Sequence, residues 1–209
     1  MILDVFKKGT QNRATPQLDR LLNLLVAQGK PSYSEMVEDG IVFSGGVTGS
    51  GVAPGTAIGT GAGFTLFNPA NSEKKLVMLK ASAGYISGTL GAGTVFYAGN
   101  VNPIAAAVTG TALVVVNNKL GSNAVDRGNH GSLFVSATLP ASPTILRPFC
   151  NLTALLATTA VSLYQLIDNL DGEFELLPGT ALSLEAVAAA GTAPLVTFGF
   201  TWAELPLEG

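Results

Sequence analysis

From Phe64 onward the chain is cut into short runs of β-branched, aromatic and aliphatic residues, each bounded by turn-forming residues. Phe64 to Phe67 stops at Asn68-Pro69, and Leu113 to Val116 stops at Asn117-Asn118. Leu76 to Leu79, Thr94 to Tyr97, Leu133 to Val135, Ser162 to Ile167, Phe174 to Leu177 and Leu195 to Trp202 repeat the pattern. Runs this short suit strands better than helices. Eight or more strands on about 145 residues is what two packed antiparallel sheets require. Asp171-Gly172 predicts a hairpin turn between two of them. Ala186 to Ala190 is too short to hold a helix alone, and Gly191 and Pro194 beside it favour strand and turn. Pro148 to Ile167 is free of charge over a bilayer-spanning length. Its Pro148, Asn151, Gln165 and threonines make it buried sheet instead, so no membrane contact is expected.

Residues 1–40 have a different character. Thr15-Pro16 supplies a cap followed by proline at a first helical position, and Asp19 an acid in the first turn. Leu18, Leu21, Leu22 and Leu25 then recur at helical spacing until Gly29 and Pro31. The spacing predicts an amphipathic helix over about 16–28, whose leucine face packs on its own domain, on another copy or on a partner. The predicted organisation is an N-terminal arm over 1–40, then a jelly-roll-like β-sandwich over 41–209. Its glycine-rich lead-in, 41–63, reads as a loose connection or a glycine-rich edge. Met1-Ile2-Leu3-Asp4 places an acid where a secretory signal has bases, so no secretion signal is expected.

Charge narrows the function classes. Charged residues are 12% of the 209, about half the usual quarter. They concentrate in the arm, as Asp4, Lys7, Lys8, Arg13, Asp19, Arg20, Lys30, Glu35, Glu38 and Asp39, while Ala81 to Asn118 has none. A surface so poor in charge has little to keep copies apart and suggests cover by other subunits. The net charge of −3, without a basic stripe, argues against nucleic-acid binding.

The single cysteine, Cys150, excludes an internal disulfide framework, and the single histidine, His130, excludes two-histidine metal or relay schemes. Gly59, Gly61 and Gly63 fail both phosphate-loop spacings and read as flexible backbone. No serine stands in a G-x-S-x-G elbow. Asp126 close to His130 reads as a polar turn, and Cys150 as core filling. Asp168, Asp171, Glu173 and Glu175 lack the spacing of a calcium loop, which leaves only a weak calcium site open. No catalytic residue, metal or cofactor is therefore expected.

Phe64 to Asn100, FTLFNPANSEKKLVMLKASAGYISGTLGAGTVFYAGN, and Leu177 to Pro206, LPGTALSLEAVAAAGTAPLVTFGFTWAELP, resemble jelly-roll structural proteins of tailed bacteriophages. The likeness is to head decoration or cement proteins and related virion fibre modules. It rests on the strand ending in Asn68-Pro69, the glycine-rich pair ending in Phe96-Tyr97, the Pro178-Gly179-Thr180 turn and the final Trp202-Ala203-Glu204. What the resemblance implies is a non-enzymatic homotrimer on the capsid surface, bound to the major capsid protein and made in the host bacterial cytoplasm. The arm leucines Leu18, Leu21, Leu22 and Leu25 would contact the shell or knit the trimer. A receptor- or carbohydrate-binding tail or head fibre is the second class, with Trp202 and the four tyrosines as its candidate sugar platform.

Overall fold

The computed structural model describes residues 33–100, 102–103, 106–121, 130–152, 165–188 and 190–207, with four two-residue strands nearer the N-terminus. The chain divides into two compact units, 1–35 and 36–209.

In the first unit, β1 (Val5–Phe6) pairs with β2 (Arg13–Ala14), and β3 (Gln17–Leu18) with β4 (Leu24–Leu25), both antiparallel. This differs from the predicted helix over 16–28. Gln17, Leu18, Leu24 and Leu25 are extended, with Leu18 opposite Leu24. A helix of three to four turns is marginal without packing, and a local ladder satisfies the same backbone groups. Leu21 and Leu22 lie outside the described residues. Among the described residues the helix is α1 (Ser34–Asp39), which comes later. Gly40 ends it at φ 74°, the left-handed conformation that closes helices on their last carbonyls.

The second unit is a sandwich of two antiparallel six-stranded sheets. Its strands are β5 (Val42–Gly46), β6 (Gly61–Phe67), β7 (Lys74–Ser87), β8 (Gly93–Gly99), β9 (Thr109–Ala112), β10 (Val116–Asn117), β11 (Ser132–Thr138), β12 (Thr144–Leu152), β13 (Gln165–Asn169), β14 (Glu175–Leu176), β15 (Ala181–Val187) and β16 (Leu195–Pro206). One sheet runs β10-β5-β16-β7-β13, with β14 also on β7; the other runs β12-β8-β15-β6-β11-β9. Number β5, β6, β7, β8, β12, β13, β15 and β16 from one to eight. The sheets then read first-eighth-third-sixth and second-seventh-fourth-fifth, the strand order of a jelly roll. β9 to β11 form an insertion between the fourth and fifth strands. It extends both sheets on the same side, β10 against β5 and β11 against β6.

Period-two alternation builds the core. Val196, Phe198, Phe200 and Trp202 of β16 face Phe64 and Leu66 of β6, Val95 and Tyr97 of β8, and Leu182, Leu184 and Ala186 of β15, all buried. The Phe64 and Phe200 rings lie 4.9 Å apart and Phe43 stacks on Trp202 at 6.4 Å. Burying each such side chain contributes about 1.5–3 kcal/mol. A smaller cluster gathers Phe67, Val108, Leu139 and Ala181.

Three expectations change. Val42 and Phe43, in the lead-in, belong to a full strand and are buried, because β5 lies between β10 and β16. Leu113 to Val115 is not a strand: it crosses from one sheet to the other, and Val115 packs into the core at that side. No hairpin forms at Asp171-Gly172. β13 and β14 lie end to end along the same strand, β7, and 170–174 bulges out opposite Met78 and Leu79. Asp171 and Gly172 both have positive φ, which permits the excursion. Among the described residues no helix is long and apolar enough to cross a membrane.

Candidate functional site

The outer face of the β5–β16–β7 sheet is a trough of about 490 Å³. Its floor follows from register. Ser44 stands opposite Thr201, Thr201 opposite Lys80, and their hydroxyls Ser44 Oγ and Thr201 Oγ1 are 3.0 Å apart. One step along, Gly46 faces Gly199 and Gly199 faces Ser82. Two glycines directly paired leave no side chain across the middle of the sheet. A Cβ at Gly199 would stand 2.8 Å from Ser82 Oγ, and one at Gly46 3.0 Å from the Phe198 carbonyl. Val114 and Ile167 flank the trough at 65% and 62% exposure, and Lys80 is the charged residue of its lining. The surface therefore offers shape, hydroxyls, apolar rims and one lysine.

A second cluster closes the opposite side of the sandwich. Arg147 of β12 donates from Nε and Nη2 to the two carboxylate oxygens of Glu173, at 2.8 and 2.6 Å, and from Nη2 to Asp168 Oδ2 at 2.8 Å. Tyr97, buried on β8, donates to the same Asp168 oxygen at 3.0 Å, and the guanidinium stacks 4.7 Å over its ring. Burial, and then the bond to Asp168, holds the Tyr97 hydroxyl well above its usual range, so it remains a donor. The paired Glu173 carboxylate in turn holds Arg147 protonated. This pins the 170–174 bulge and joins the two sheets. Asp168 and Glu173 are thus both engaged by Arg147, while Glu175 pairs with Lys75 at 3.4 Å. Among the described residues no group of three or more metal-ligating side chains gathers.

Glu204 is a buried carboxylate at the end of β16. Its carboxylate accepts from the backbone N–H of His130 at 2.9 Å, of Gly131 at 3.0 Å and from Trp202 Nε1 at 3.2 Å, with His130 Nδ1 also 3.2 Å away. His130 is thus tied to a structural carboxylate, and Asp126 lies outside the described residues. Cys150, half-buried beside a narrow apolar cleft of about 50 Å³, has its thiol pushed up to about 11 by burial, which suits packing and not nucleophilic work.

Of the residues singled out from sequence, Trp202 and Tyr97 are fully buried and offer no sugar platform. Leu18 and Leu25 lie on the paired strands of the first unit. Sequence reading missed Arg147 and Glu204 as polar anchors. The last had a signal: it continues the inward register of Phe198, Phe200 and Trp202, where a carboxylate must find donors.

The fold and these surfaces define a class, a jelly-roll sandwich with a charge-poor outer trough. Comparison with protein-family models, curated proteins and solved structures returns no match.

Proposed function

We propose that this protein is a non-enzymatic structural component of a tailed-bacteriophage virion, decorating and cementing the capsid shell as a homotrimer bound to the major capsid protein. The observation that carries the reading is the charge-poor trough over Gly46, Gly199 and Ser82, an outer sheet face on which Lys80 is the charged residue and little like-charge repulsion keeps a neighbour away. Binding to assembled shell and not to free subunits stabilises the shell by mass action. The arm leucines Leu18, Leu21, Leu22 and Leu25 are assigned to the same contacts. A tail or head fibre binding a receptor or glycan is the weaker reading, because Trp202 and Tyr97 are in the core.

The test is copy number in purified particles by quantitative mass spectrometry against the major shell protein, with a light-scattering mass of the free protein. Many copies and a trimer are expected. A handful of copies overturns the decoration reading and favours a fibre; a monomer at micromolar concentration overturns the trimer. Ser82→Arg, which sets a long cation in the trough, is expected to lower occupancy on shells without changing the thermal midpoint of the free protein.

A further inference from the structure

The outer face of the β8–β15–β6 sheet holds a carboxylate with no cation to answer it. Glu185 of β15 is 2% exposed. Its Oε2 accepts one hydrogen bond, from Gly59 N–H at 3.0 Å; its Oε1 is sealed from solvent and has no hydrogen-bond partner. The surroundings are neutral on every side. Phe96 of β8 stands directly opposite, with Thr94 and Ala98 beside it. Ser183 of β15 is committed to Thr65 of β6, hydroxyl to hydroxyl at 3.0 Å. Residues 55–60, which cover the carboxylate, read Gly-Thr-Ala-Ile-Gly-Thr and contribute nothing titratable.

Backbone hydrogen bonds at its two ends hold that covering segment. It continues the sheet past the end of β6, with Ala186 N–H donating to Pro54 O at 3.2 Å and Ala188 N–H to Thr56 O at 2.9 Å; beyond it, Leu139 N–H reaches Thr60 O at 2.7 Å. Gly51 and Gly55 sit at φ 72° and 86°, backbone that side chains resist, and the positions a Cβ would take at Gly59 and Gly61 are open space. These are the makings of a hinge and a free-moving crest.

We propose that residues 55–60 form a proton-controlled strap, closed over Glu185 while its carboxyl carries a proton and released when it ionises, so that water reaches Oε1. A buried charge with a single donor is costly, and lifting the strap hydrates it while freeing the Ala188 amide from Thr56 and the Leu139 amide from Thr60. Burial raises the Glu185 carboxyl from 4.5 to about 7, the Gly59 N–H offsetting part of the effect. With an ordinary carboxyl in the open form, the opening constant grows as pH rises through that interval and levels off above it. Between pH 5.5 and 8.5 the gain is on the order of 30-fold. This inference is independent of what the outer trough of the other sheet binds.

The experiment is amide hydrogen exchange on the full chain at pH 5.5 and 8.5, corrected for intrinsic rates, beside Glu185→Gln. The amides of Gly59, Leu139 and Ala188 are expected to lose protection by on the order of 30-fold in the unaltered protein and to be insensitive to pH in the variant, while the β7–β16 ladder holds in both. Equal loss in the variant, or no loss in the unaltered protein, overturns the proposal. Should Glu185→Gln not fold, a carbon-detected titration of the Glu185 carboxyl in the unaltered chain decides. A midpoint near 7 shared by the strap amides supports the strap, and a midpoint in the ordinary glutamate range overturns it.

Discussion

Glu204→Leu is the sharpest perturbation the core offers. The substitution keeps approximate volume and removes the acceptor for three N–H groups, those of His130, Gly131 and the Trp202 indole. Glu204 is 4% exposed and Trp202 fully buried, so water cannot replace the carboxylate without opening the site. Each stranded buried donor costs about 1–3 kcal/mol. Part of this is returned because a buried charge is also removed, which leaves a net loss of about 3 kcal/mol. For a domain of this size a kilocalorie shifts the melting midpoint by about 2–4 °C, so the variant should melt about 6–12 °C lower and show a lower urea midpoint at unchanged slope. Trp202→Phe in the Glu204→Leu background should cost less than Trp202→Phe alone, since the indole donor has already lost its partner. A loss below about 1 kcal/mol in Glu204→Leu, or strict additivity of the two changes, would refute the claim that this carboxylate anchors the 130–131 turn to the core.

Arg147→Met removes the fork to Glu173 and the bond to Asp168; with all three side chains partly exposed, the cost is about 1–2 kcal/mol, and urea unfolding should show the difference from the unaltered protein shrinking in 1 M salt. Gly88→Ala forces a Cβ at φ 86° onto the Ala193 carbonyl; the expected loss is about 2 kcal/mol or more, read from the thermal midpoint. For Glu185 the folded carboxyl binds its proton more tightly than the unfolded one. Its contribution to stability is therefore fully present below 4.5 and lost as pH rises to about 7. Urea titrations at pH 4.5 and 8 should show the unaltered protein losing up to about 3 kcal/mol more than Glu185→Gln, with strap opening setting the cap.

Strands that carry their own alternation were legible. In β16 the series Val196, Phe198, Phe200, Trp202 marks a buried face without help from any other element, and β6, β8 and β11 are similar. What escaped depended on partners far away in the chain. Sheet was expected at Pro148, but buried; instead β12 is the outer edge of its sheet, where Pro148 is exposed and its missing N–H is tolerated, with irregular register on both sides. Asp171-Gly172 has the composition of a hairpin turn, and only the length of β7 reveals that both neighbouring strands lie along it. Leu18 to Leu25 has helical spacing, but spacing alone does not supply the surface that makes a helix worth forming. The polar sites were harder still. Glu185 occupies an outward register position where a glutamate is normally solvated, and it is buried because 55–60, more than a hundred residues earlier, covers it. Arg147, Asp168 and Glu173 come from two strands and a bulge that meet only in the folded state.

β16 pairs with β5 on one side and β7 on the other, and it follows every other strand of the sandwich in the chain. During synthesis at about 5–20 residues per second, β5 therefore waits on the order of ten seconds or more for the strand that lies beside it. Until then Phe43 has no Trp202 to stack on and the trough has no floor, because Gly199 and Thr201 have not yet been made. The second sheet likewise lacks β15 between β6 and β8 until late. Such long-range pairing makes folding slow, and it also sets a timing rule. The charge-poor face on which the proposed assembly would depend comes into being only when the sandwich closes, so incomplete chains have no face with which to join an assembly.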